Sequence, residues 1–230
     1  MKTFLYICLV RKHFFKYAIG MLMLLQLVSC SDELHCIMPS DVGLRAGDLV
    51  FRRGGSLSSR AVVMADTDKG YSHIGMVVDS AGKAMIVHAV PYEPDFKGDF
   101  DRVKLETPQR FFLSDRAIVG EVRRLENWRL AKRASLKALA YYKRHTAFDH
   151  DYNTNDSTKV YCTELVLRAY REAGLPLRDV RTRHITLPTA TYDCILPSAF
   201  QQHTLFKQVR AFCPRNMRCF GIGNRRTPLV

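Results

Sequence analysis

The chain has 230 residues, 35 of them Lys or Arg against 22 Asp or Glu, for a formal charge of +13. It carries no internal repeat, no low-complexity tract and no CxxC or Cys/His metal spacing, which excludes a solenoid and a zinc finger. The positive excess suits anionic polymers and lipid head groups as partners.

Residues 1–29 read as a targeting segment. Lys2, Arg11, Lys12 and Lys16 make an acid-free positive start, and residues 17–28 (YAIGMLMLLQLV) form an apolar run of secretory length. Leu27-Val28-Ser29-Cys30 closes the run and resembles the bacterial lipobox. That resemblance implies cleavage before Cys30 and lipidation of its thiol, with a plain signal peptide or an uncleaved anchor as the alternatives. A lipoprotein of this kind sits in the cell envelope, at the periplasmic side or the surface of the outer membrane, with the membrane as partner through Cys30. Exported proteins rarely meet nucleic acid, so none is expected. The expected organisation is a lipoprotein signal peptide over 1–29, a polar tether over 30–45, one domain over 46–210 and a basic tail over 211–230. About 200 residues remain after cleavage, enough for one domain with a core.

Residues 48–51 read as a short strand and 52–59 as a Gly/Ser-containing turn. Residues 60–65 read as a short helix. His73 to Val78 is β-branched and apolar, a strand, and Asp79-Ser80-Ala81-Gly82 supplies turn chemistry before a second strand over 84–90. Pro91 to Asp101 has two prolines, one glycine and no helical period, so it reads as a loop; Tyr92, Phe96 and Phe100 make it a candidate pocket wall. Another strand is expected over 117–123. Asn127 is placed to cap a helix from Trp128 to about Arg144, with Leu130, Ala134, Ala138, Tyr141 and Tyr142 on one face. An acidic loop over 149–157 precedes a second amphipathic helix over 160–173, ended by Gly174 and Pro176. A last short helix is expected over 196–209. Strands followed by helices predict an α+β fold, a small antiparallel sheet packed against helices.

A two-residue loop at Ser80-Ala81 sets His73 opposite His88, on one face of the hairpin. A three-residue loop or a bulge separates them. On the second helix, Cys162, Val166, Ala169 and Ala173 share the core-facing stripe, and Cys162 lies in the first turn. Unpaired N–H groups and the macrodipole there favour a thiolate and are available to an oxyanion. Cys162 as nucleophile, His73 as general base and His88 as the group that orients His73 are therefore the candidate catalytic residues. The bland alternative is a buried inert cysteine beside two satisfied core histidines. Asp48 is read as fixing a strand start, and Glu164 as a structural partner of Arg168. Outside the signal and Cys30, the cysteines are Cys36, Cys162, Cys194, Cys213 and Cys219, an odd number, so at least one stays unpaired in a monomer. Cys213 and Cys219 close a short loop and are the nearest pair; pairing is otherwise open.

GDLVF at 47–51, Ser72-His73-Ile74-Gly75 and Ile86-Val87-His88-Ala89 together resemble the NlpC-type papain-like amidases. In most of that superfamily the cysteine helix precedes GDLVF. Here Tyr161-Cys162-Thr163-Glu164-Leu165 comes last, after Asp149 and Asp151, an order similar to the circularly permuted YaeF/YiiX-like branch. The resemblance spans residues 47–174 and implies a permuted papain-like fold. It also implies Cys162 as nucleophile, His73 as base, His88 at the third polar position, and no cofactor or metal. Tyr161, Ser72 and Asp149 are the candidate substrate-binding residues. The implied activity is cysteine hydrolysis of an amide, first of all in peptidoglycan stem peptides. Two alternatives remain open. One is lipid acyl hydrolysis or transfer, as in the permuted lecithin–retinol acyltransferase-like proteins. The other is a wall-binding module without catalysis. A polar cleft with an acid beside Cys162 suits a peptide amino terminus; an apolar groove suits an acyl chain.

Overall fold

The computed structural model describes residues 33–66, 70–187 and 190–213. The expected signal peptide, Cys30 and residues 214–230 of the expected tail lie outside the described residues. Among the described residues no helix is long and apolar enough to cross a membrane.

Among the described residues, ten strands and five helices form in chain order. They are β1 (Leu49–Arg53), α1 (Leu57–Ala65), β2 (His73–Ser80), β3 (Lys83–Val90), β4 (Arg102–Glu106), α2 (Pro108–Phe111), β5 (Val119–Leu125) and α3 (Trp128–Lys143). Then come β6 (Ala147–Phe148), β7 (Lys159–Val160), α4 (Cys162–Glu172), β8 (Arg183–Leu187), β9 (Ala190–Cys194), α5 (Ser198–Gln201) and β10 (Phe206–Phe212). Eight strands make one sheet in the order β10-β5-β1-β2-β3-β4-β6-β7, and β8 and β9 form a separate hairpin. Every pair in the large sheet is antiparallel except β6–β7. The α+β expectation holds, with a larger sheet than the expected small one.

The strand period of two divides the core. Leu49, Phe51, Ile74, Met76 and Val78 face one cluster with Ala131, Ala134, Ala138, Leu165, Val166 and Ala169 of α3 and α4. Val50, Val77, Ile86 and Val122 face the other way, against Phe111, Phe112, Phe212 and Ile37. Asn127 caps α3 as expected, its Oδ1 accepting from Leu130 N at 3.2 Å. Gly47 adopts φ +91° and lies against α3: a Cβ there would stand 2.4 Å from Ala131 O. Asp48 fixes the entry to β1, accepting from Arg45 N at 2.8 Å and from both Nε and Nη2 of Arg124 at 2.7 Å.

Three expectations need correction. The segment read as a tether packs onto the domain: Ile37 is buried and donates to Phe112 O at 2.9 Å, and Cys36 bridges to Leu113. Residues 196–209 are not one helix. A single turn (α5) gives way to β10, which pairs with β5 and carries a bulge between Gln208 and Arg210. The sheet therefore runs through Phe212, past the expected boundary at 210. The β2–β3 turn lies one residue later than expected, at Ala81-Gly82, where both residues take positive φ (52° and 78°) and Ser80 pairs with Lys83.

Candidate active site

The corrected turn moves the hairpin register by two, which preserves the face. Continued from Met76↔Val87, it sets His88 opposite Gly75, with His73 two residues further along β2 on the same face. His73 Nε2 then lies 2.9 Å from His88 Nδ1, with the rings edge to face at 5.1 Å. Gly75 makes the space: a Cβ there would stand 2.8 Å from Ile86 Cγ2 and 3.2 Å from His88 Cβ. Phe111 packs against both rings, at 5.8 Å from His73 and 5.1 Å from His88.

Behind His88 lies a residue that sequence reading missed. Glu106 at the end of β4 is 3 % exposed, and its Oε2 is 3.4 Å from His88 Nε2. That is a close polar contact, longer than a well-formed hydrogen bond. Its Oε1 accepts from Arg110 Nε at 3.1 Å and Arg116 Nη1 at 3.0 Å. Burial alone would raise the Glu106 carboxyl, but His88, Arg116 and Arg52 outweigh it and hold it near about 2. Arg102-Val103-Lys104-Leu105-Glu106 does alternate like a strand, the one signal that pointed here. Its charged set ordinarily reads as the solvent face.

Cys162 opens α4 as expected, with Glu164 paired to Arg168 at 2.7 Å. The residue is half-buried, and the backbone N–H groups of Ile74, Thr163 and Cys162 itself favour its thiolate. The expected fall in thiol pKa does not occur. Burial pushes the thiol up to about 11, against the opposite pull of those N–H groups and of Arg52. His73 moves the other way: burial first, then Arg52 and His88, hold its imidazole well below the ordinary value. Both groups therefore rest neutral at pH 7, a thiol and a free base on one cavity.

Cys162 and His73 line one cavity of about 480 Å³. Val62, Phe148, Tyr152, Tyr161, Tyr192 and Leu196 make much of its wall, and Arg52, Glu93 and Arg116 a polar corner. Glu93 is bridged there by Arg52 and by Arg116. Tyr161 is buried in that wall, its hydroxyl accepting from Ile195 N at 3.0 Å and its ring 5.2 Å from Tyr152. Ser72 also lines the cavity, but its hydroxyl is engaged with Ser59 Oγ at 2.5 Å and Gly54 N at 3.3 Å. Asp149 does not reach the cavity. It is buried and accepts from Asp151 N at 3.0 Å and Asn153 N at 2.7 Å, shaping the loop that presents Tyr152. Of the loop over 91–101, Tyr92 lines the cavity, while Phe96 and Phe100 are exposed elsewhere. Cys194, a free thiol like Cys36 and Cys162, shares the wall; Cys213 is disulfide-bonded.

Among solved structures, the chain is similar to the metalloprotein YiiX from Escherichia coli O157:H7, with 20% identity over 74% of this chain and 98% of that one and a TM-score of 0.54. Among the described residues here, no group of three or more His, Cys, Asp or Glu side chains is placed to hold a metal ion. No curated protein matches the chain. The model of the permuted papain-like amidase enzymes, YaeF/YiiX, matches residues 43–204, from the turn before β1 to the turn before β10. With His73 ahead of Cys162 in chain order, and most of the chain matched, this protein belongs to the C92 family of permuted papain-like amidases.

Proposed function

We propose that the protein is a cysteine hydrolase that cleaves an amide whose acyl part is an apolar chain. The observation that carries this is the cavity shared by Cys162 and His73, whose wall is largely aliphatic and aromatic. The peptide reading asks for an acid free to meet an amino terminus. Of the two acids lining the cavity, Glu93 is tied to two arginines, which leaves exposed Asp115 as the one such acid beside a wall that is mostly apolar. The lipid alternative thus fits the wall better than a peptidoglycan stem does. Attachment through Cys30 in the cell envelope belongs to the same proposal, since it keeps the enzyme beside a lipid substrate.

His73 Nε2 is engaged with His88, which leaves Nδ1 for the thiol. His73 Nδ1 takes the proton from Cys162 as the sulfur attacks the carbonyl carbon. The carbonyl electron pair moves to oxygen, where the first-turn N–H of Cys162 meets it. Collapse breaks the C–N bond, and the amine leaves with the proton from His73. Water, deprotonated by the same imidazole, releases the acid and restores the thiol. The His88 ring and Glu106 keep His73 in the required tautomer and stabilise its transient charge.

The test offers the protein an N-dodecanoyl amide and a γ-glutamyl stem peptide, with intact-mass detection of the acyl-enzyme. Hydrolysis of the first, with a dodecanoyl adduct on Cys162 that is absent in Cys162→Ala, is the expected result. Turnover of the stem peptide alone would overturn the acyl reading and leave the cysteine mechanism in place.

A further inference from the structure

Helix α1 presents apolar side chains the wrong way round for a globular surface. Ser58, Ser59, Val62 and Ala65 line the cavity. Leu57, Arg60 and Met64, at spacings of three and four, share the opposite, outward face. Leu57 is 84 % exposed and Met64 82 % exposed. Tyr92, itself part of the cavity lining, is 76 % exposed. Single exposed apolar residues are ordinary. Two on one stripe of a nine-residue helix, on an element that forms the wall of an apolar cavity, are not.

We propose that Leu57, Met64 and Tyr92 form a docking rim that seats in the head-group region of an anionic phospholipid bilayer. Charge selects this occupant over an apolar protein surface. Arg60 stands between the two exposed side chains, α1 carries no acid, and the whole chain has a formal charge of +13. Apolar side chains interleaved with a cation bury at an interface and gain from negative head groups. Seated this way, the helix whose inner face lines the cavity lies on the bilayer. An acyl chain then passes from lipid to the Cys162 cavity without crossing water. The delivery role rests on the acyl-chain reading above; the docking itself does not.

The experiment follows amide hydrogen exchange of the full chain with vesicles of phosphatidylglycerol, with vesicles of phosphatidylcholine, and without vesicles. Exchange is read peptide by peptide, so attachment through the N-terminal segment alone leaves this rim unprotected. Slower exchange over 57–65 and around Tyr92, only with phosphatidylglycerol, is expected. The double variant Leu57→Asp, Met64→Asp should lose that protection. It should also hydrolyse a vesicle-borne N-acyl amide at least about tenfold more slowly, while turning over a short soluble amide as before. Both side chains are largely exposed, so the fold does not depend on them. No protection on either vesicle overturns the proposal, as does protection that appears without lipid and tracks protein concentration, the mark of self-association. Protection without any acyl-amide hydrolysis would overturn the substrate reading and leave the docking rim standing.

Discussion

His88 Nε2 stands 3.4 Å from Glu106 Oε2, and its Nδ1 stands 2.9 Å from His73 Nε2, so one buried imidazole joins a carboxylate to the proposed base. An anion at Glu106 favours the proton on His88 Nε2, which leaves Nδ1 to accept from His73. His73 then offers its other nitrogen to the thiol. Glu106→Gln keeps the shape and removes the charge. The expected outcome is a fall in kcat of at least about tenfold with little change in KM. Equal kcat values in the two proteins would remove Glu106 from the mechanism.

The same residue sets an acid limit on stability. Its carboxyl is held near about 2, below its ordinary 4.5. The stabilisation is therefore complete above pH 4.5 and is lost as pH falls toward 2, where the native carboxylate takes up its proton. His73 acts in a higher window. Its native pKa lies well below 6.5, so below that pH the unfolded chain binds a proton that the folded one does not, and stability declines. Denaturant midpoints measured from pH 7 down to 2 should fall in both windows for the parent protein. Glu106→Gln should flatten the lower one.

Much of this site was legible in advance because local patterns dictate it. The first-turn position of Cys162 follows from a 3.6-residue period, and the shared face of His73 and His88 follows from a strand period of two. The turn was placed one residue early. Gly82 is the residue that tolerates positive φ, and it marks the second central position of the observed turn. Glu106 was missed because an alternating Arg102, Lys104 and Glu106 reads as a wet face. In the fold that face is buried under a loop that supplies Asp95 and Asp99 as partners of Arg102 and Lys104. β10 was missed because its exposed Lys207, Gln208 and Arg210 straddle a bulge that breaks the alternation. Thiol acidity was misjudged because the helix terminus is a local feature, whereas the burial that opposes it is a tertiary one.

That burial makes a prediction about reactivity. A thiol pushed up to about 11 that shares its cavity with a neutral imidazole is not a standing thiolate. Labelling of Cys162 by iodoacetamide should be slow at pH 7 and climb steadily with pH above 9. Amide hydrolysis, in which His73 takes the proton during attack, should already be active at pH 7. Its acid limb should lie below 6.5, since His73 must shed a proton only below that value. Fast labelling that is flat from pH 6 to 9 would show a preformed thiolate–imidazolium pair instead.

Tyr161 separates wall from chemistry. Its hydroxyl accepts from Ile195 N and so holds the chain beyond β9 against α4, next to Thr163 Oγ1, which donates to Ile195 O at 2.7 Å. Tyr161→Phe leaves a buried N–H without its acceptor, at a cost of about 1–3 kcal/mol in unfolding free energy. The ring that lines the cavity is retained, so kcat should change by less than about threefold. A large loss of kcat without loss of stability would move Tyr161 from the wall into the reaction.

Gly75 tests whether the His73–His88 geometry itself matters. Any Cβ at this position meets Ile86 Cγ2 at 2.8 Å and His88 Cβ at 3.2 Å. Both atoms belong to β3, which is pinned between β2 and β4 and has no room to retreat. Gly75→Ala is expected to cost about 1–3 kcal/mol through overpacking and to push His88 away from His73. Activity should fall further than stability, because hydrogen bonds weaken steeply with misalignment. Pairing it with Ile86→Leu removes the β-branch methyl that makes the closest contact and should restore most of the stability. His88 Cβ is still crowded, so activity should recover only in part. Full recovery of both would place the strain wholly at Ile86 and leave the histidine pair undisturbed by the added methyl.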